Sequence, residues 1–63
     1  MKGVVQWYNV NRGFGFIIGE DGLSYFVHYS MLNDGTKLLE NSSVEFKPTK
    51  TDKGLHAHKV KKI

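Results

Sequence analysis

Apolar residues along this chain do not recur at the three- and four-residue spacing of a helix. They fall in short runs with alternating sides, and seven glycines cut the chain between and within those runs. The pattern predicts five β-strands: Lys2–Asn9, Gly13–Gly19, Ser24–His28, Ser43–Pro48 and Leu55–Ile63. Turn chemistry separates them. Asn9-Val10-Asn11-Arg12 makes the first turn and Glu20-Asp21-Gly22 the second, where Asp-Gly supplies the positive-φ positions a tight hairpin needs. The connection Ser30–Ser42 is long enough for one helical turn at Ser30–Asn33 before Asp34-Gly35.

Five short strands are too little material for two stacked sheets, and an open sheet would leave unpaired edges and a half-covered core. Closure removes both problems. The expectation is an all-β fold, a small five-stranded antiparallel barrel of the oligonucleotide/oligosaccharide-binding type, with residues 1–63 forming one domain. A domain of this size buries only about 60% of the surface its unfolded chain exposes. With no cysteine to cross-link it, packing and backbone pairing must supply its stability. The first residues, Met1-Lys2-Gly3-Val4-Val5-Gln6, lack the apolar run of a signal peptide, and no stretch approaches the roughly 18 apolar residues of a membrane span. A soluble, cytoplasmic protein is expected.

Eight aromatic residues are many for so small a core. Alternate residues of a strand share a face. If Ile17 points into the barrel, Phe14, Phe16 and Ile18 point out; if Val27 points in, so does Tyr25, and Phe26 and His28 point out. Reversing the faces would evict Ile17 and Val27 in favour of an ionisable imidazole. Pairing of the two strands through Asp21-Gly22 then gathers Phe14, Phe16, Phe26 and His28 into one exposed patch, and contiguous apolar patches on monomers mark interaction sites. One position resists the pattern: Val5 belongs inside and Trp7 outside, although alternation puts them on one face. A bulge or strong twist near Gln6 reconciles them.

Charge sharpens the choice of partner. Residues 1–46 hold three basic and five acidic side chains, whereas residues 47–63 hold six lysines and one acid, Asp52. Aromatic rings beside a basic segment suit single-stranded nucleic acid, whose bases stack on the rings while cations meet the phosphates. Arg12, Lys37 and Lys53 are the candidate phosphate contacts.

Arg12-Gly13-Phe14-Gly15-Phe16-Ile17 and Phe26-Val27-His28-Tyr29 resemble the two ribonucleoprotein motifs of the cold-shock domain family. The opening Met1–Asn9, Gly35-Thr36-Lys37-Leu38-Leu39, Val44-Glu45-Phe46 and Lys53–Val60 follow in family order, so the resemblance spans essentially the whole chain. It implies a stacking platform of Trp7, Phe14, Phe16, Phe26, His28 and Tyr29, with Arg12, Lys53 and the Gly54 backbone along the track and Tyr8 as a partly exposed aromatic. His56 and His58 read as two solvent-edge imidazoles beside the track, where protonation at mildly acidic pH would strengthen polyanion binding, and His56 is added to the candidate site. The implied role is that of an RNA chaperone or a regulator of transcription or translation, as a monomer or a domain-swapped dimer. Departures from the family pattern are Gln6 at a common lysine, Thr36 at a common aromatic, Tyr25 at a common valine, and a hairpin about two residues short.

Other chemistry fares less well. The RNA-recognition-motif fold carries a similar signature, but there the second motif precedes the first. Gly13-Phe14-Gly15 does not continue as a dinucleotide fingerprint, since Ile18 stands at the third glycine, and no phosphate loop is present. No enzyme, cofactor or small-molecule substrate is expected. His56-x-His58 has metal-ligand spacing but no third ligand at hand, so no metal is expected either. The rival reading is a small barrel that grips a peptide with its exposed rings.

Overall fold

The computed structural model describes residues 1–32 and 37–63. Five strands form: β1 (Lys2–Asn9), β2 (Phe14–Gly19), β3 (Ser24–His28), β4 (Ser43–Thr51) and β5 (Gly54–Lys62). They close into a barrel in the order β1-β2-β3-β5-β4. The expected five-stranded closed barrel is therefore the observed fold, with one refinement of its description as antiparallel. Four of the strand pairings are antiparallel, but β3 meets β5 in parallel at Phe26 and His56. A parallel bridge between Leu32 and Val60 extends that closure.

The predicted faces are the observed ones. Val5, Ile17, Tyr25, Val27, Val44, Phe46, Ala57 and Val60 are buried together with Leu38 and form the core. In β2 the half-buried Phe14, Phe16 and Ile18 alternate with buried Gly15, Ile17 and Gly19. The conflict in β1 resolves as a bulge: Val5 pairs with Ile17 and Trp7 with Phe16, so Gln6 is the extra residue. Two residues of β1 thus oppose one step of β2, which lets Val5 enter the core while Trp7 stays outside.

A second bulge lies where β4 meets β5. Glu45 pairs with Lys61 and Lys47 with His58, leaving Lys59 and Val60 opposite Phe46. Lys59 takes a left-handed backbone, φ 51°, in forming it. Beyond it β4 runs through Pro48 to Thr51, three residues past its predicted end. The β1 ladder covers only Ser43–Glu45 of β4, so Pro48 lies in the stretch of β4 beyond it, where it pairs with Ala57 of β5, an edge position of the kind in which proline is tolerated.

The β2–β3 hairpin is pinned from within. Gly22 adopts φ +83° as the Asp-Gly turn requires. The buried Tyr25 donates its hydroxyl to Asp21 Oδ2 at 2.5 Å, and the Leu23 N–H donates to Asp21 Oδ1 at 3.0 Å. The tyrosine that stands at a valine position of the family pattern thus has its polar end satisfied. Its hydroxyl bond, followed by the Leu23 N–H, holds the Asp21 carboxyl below its ordinary pKa, and the same bond pushes the Tyr25 hydroxyl up.

After β3 the chain makes a 3₁₀ turn at Tyr29–Met31, one residue earlier than the expected helical turn, whose end at Asn33 falls outside the described residues. Thr36 also lies outside them. Among the described residues no helix is long and apolar enough to cross a membrane.

Candidate nucleic-acid interface

Cross-strand register assembles the outer face. Phe14 stands opposite His28, Phe16 opposite Phe26, and Trp7 opposite Phe16. The four large rings close a quadrilateral: Trp7–Phe14 5.8 Å, Phe14–Phe26 6.0 Å, Phe26–Phe16 5.7 Å and Phe16–Trp7 5.7 Å between centroids. Most of these pairs are tilted or edge-to-face, which suits ring quadrupoles and leaves faces and edges turned to solvent. Trp7 is exposed, and the three phenylalanines are half-buried.

The parallel contact carries the platform onto β5. His56 packs edge-on to Phe26 at 5.5 Å, and His58 follows at 6.4 Å from His56. At the opposite corner the His28 and Tyr29 rings lie 4.3 Å apart. His28 has a second task that sequence reasoning missed. It is the N-cap of the 3₁₀ turn: its Nδ1 accepts the Ser30 N–H at 3.3 Å and lies 2.9 Å from Ser30 Oγ. With Nδ1 engaged as acceptor, Nε2 of the neutral ring is the donor.

Tyr29 is well exposed and rests over Gly13. Gly13 has φ +75°, and a β-carbon there would lie 2.6 Å from Tyr29 Cδ1. The Tyr29 N–H donates to the Gly13 carbonyl at 2.8 Å, so the glycine both shapes the β1–β2 turn and leaves room for the ring.

The remaining expected residues are spread around this centre. Tyr8 pairs with buried Gly15 and packs against the core, so it lies on the inner side of the sheet, apart from the four-ring network; burial pushes its hydroxyl pKa up. Arg12 is exposed in the β1–β2 turn, its N–H donating to Asn9 Oδ1 at 3.0 Å. Lys53 is exposed in the β4–β5 turn beside Gly54, which has φ +119°. Lys37 is exposed just beyond residues 33–36. His58, expected as the second solvent-edge histidine, follows His56 along β5, whereas Lys47 was not singled out by sequence and only the β4–β5 register places it opposite His58. Among the described residues no group of three or more His, Asp or Glu side chains is placed to hold a metal ion.

The chain as a whole is similar to known proteins. The family model described as "'Cold-shock' DNA-binding domain" matches residues 1–63. Cold shock protein 1 of Lactiplantibacillus plantarum is 45% identical over 94% of this chain and 92% of its own length. Cold shock protein CspA of Staphylococcus haemolyticus is 45% identical over 98% of this chain and 97% of its own. Among solved structures, drosophila Unr CSD456 superposes with a TM-score of 0.73 at 21% identity, covering 98% of this chain and 26% of that one, a likeness of fold.

Proposed function

The chain belongs to the cold-shock DNA-binding domain family, a nucleic-acid-binding family, and from that premise we propose that its ring-bearing face binds single-stranded RNA or DNA with low sequence specificity. The observation that carries the reading is the quadrilateral of Trp7, Phe14, Phe16 and Phe26, four rings in mutual contact on the outside of the barrel. Such a surface lacks the depth and donor pattern that would select one base, but it offers π-surface to any of them. Stacking of that kind is worth about 1–3 kcal/mol per base.

His28, Tyr29 and His56 extend the platform at its two ends, and Arg12, Lys37, Lys53 and the Gly54 backbone serve the phosphates. Tyr8 supports the sheet from its inner side. Two or three stacked bases together with these cations give affinity in the micromolar range or better. A protein that holds bases unstacked from one another opposes hairpins in RNA, which is the physical basis of the proposed chaperone role in transcription and translation. The peptide-gripping alternative has less support: His28 and His56 flank the rings, and among the described residues no acidic side chain interrupts the ring-bearing positions of β2 and β3.

Duplex makes the test. A fluorescently labelled oligothymidine, free or annealed to its complement, is titrated with the protein at one salt concentration. The single strand binds at least tenfold tighter, because duplex bases are already stacked and paired; equal affinities would leave charge alone as the basis of binding and contradict the proposal.

A further inference from the structure

The lysines of the last quarter of the chain are not scattered evenly. An open groove of about 450 Å³ beside the β4–β5 hairpin is lined by Met1, Phe46 and Pro48 and by Lys47, Lys59 and Lys61 with a single acid, Glu45. Glu45 pairs with Lys61 at 3.3 Å, and both side chains are well exposed, so the pair is loose and screened by solvent. Among the described residues Lys47 and Lys59 have no carboxylate within ion-pair distance, and the lining keeps an excess of positive charge over apolar surface.

This groove is continuous with the ring-bearing face. Phe26 contacts His56, His56 neighbours His58, and His58 stands directly across the ladder from Lys47. From His56 to Lys61 is five residues of strand, about 16 Å at the usual rise, and the bulge at Lys59–Val60 bends β5 along the way. Neighbour by neighbour, stacking rings give way to imidazoles and then to the Lys47 ammonium group.

We propose that the β4–β5 groove is a second segment of the binding track, which holds the phosphodiester backbone of the same single strand after it leaves the rings. Its ligand is the backbone phosphate, taken by Lys47, Lys59 and Lys61 without base recognition. The inference rests on the stacking reading of the outer face and enlarges the site. Barrels of this class cover about 4–16 nucleotides, and the extra track places this one above the length that the rings alone occupy. Charge complementarity selects the occupant, and continuity with the rings selects the same strand over a separate ligand.

The test compares hexathymidine with dodecathymidine, read by Trp7 fluorescence over a range of salt. Each phosphate neutralised on a single strand steepens the plot of log affinity against log salt by about 0.7. For the wild-type protein the dodecamer slope exceeds the hexamer slope by about 2, the share of three lysines. In the triple variant Lys47→Gln, Lys59→Asn, Lys61→Gln the excess disappears while hexamer binding and its quenching are kept, which also reports an intact fold. Asparagine is chosen at 59 because it tolerates the left-handed backbone. A control variant of equal charge change, Lys2→Gln, Lys50→Gln, Lys62→Gln, keeps the excess.

The inference is overturned if the dodecamer slope survives in the groove variant, if the control flattens it equally, or if two hexamers bind per protein, which would make the groove an independent site. A wild-type hexamer that leaves Trp7 unquenched instead removes the stacking reading, and the inference falls with it.

Discussion

Phe14, Phe16 and Phe26 are half-buried residues on the outside of a barrel whose core is filled by other side chains. Truncating any one of them therefore removes contact surface for a base and little packing. Phe14→Ala, Phe16→Ala and Phe26→Ala are each expected to weaken oligothymidine binding by about 1–3 kcal/mol, with urea unfolding curves close to wild type. Collapse of the unfolded–folded transition in these variants would show the rings to be core. Gly13 behaves in the opposite way. Gly13→Ala places a β-carbon against the Tyr29 ring at φ +75°, and a left-handed non-glycine residue costs about 1–2 kcal/mol. Its urea midpoint should fall accordingly, and unchanged stability would mean the turn can refold around alanine. The outward placement of these rings was legible because Ile17 and Val27 fix which face is inward. The cap made by His28 was not, since it depends on where the chain turns after β3.

At the scale of elements, β1 and β3 have their predicted ends, and β2 starts one residue late. Local alternation was enough for those strands. The Gln6 bulge was legible as a contradiction, because Val5 and Trp7 could not both be satisfied by a regular strand. The extension of β4 through Pro48 and the left-handed Lys59 were hidden, because both follow from pairing with distant residues. A proline reads locally as an end, and nothing near Lys59 announces a bulge.

The β2–β3 hairpin supports a pH prediction. The Asp21 carboxyl is held below its ordinary pKa by the Tyr25 hydroxyl and the Leu23 N–H. Its contribution to stability is fully present above the unfolded-state value of about 3.9 and is lost as pH falls through the lower folded value. Urea unfolding followed from about pH 5 to pH 2 should show a steeper loss for wild type than for Tyr25→Phe. Parallel losses in the two proteins would mean that the hydroxyl bond does not bias Asp21.

For the whole molecule, the count and brevity of the strands made a closed barrel the economical reading, and the core they surround is the one alternation selects. The way the barrel closes was out of reach of local pattern. β3 and β5 are separated by 25 intervening residues, from Tyr29 to Lys53, and meet in parallel, and that contact is what brings His56 to Phe26 and links the rings to the lysine-rich hairpin. Composition revealed a basic last quarter but not its placement; folding turns it into a surface beside the platform.

The central claim is that unpaired bases stack on the Trp7, Phe14, Phe16 and Phe26 rings, and Trp7 is both a member of that platform and its reporter. Titrating oligothymidine into micromolar protein at low salt while following Trp7 fluorescence tests it most directly. Saturable quenching is the predicted result. Fluorescence that stays unchanged through the titration would contradict the account.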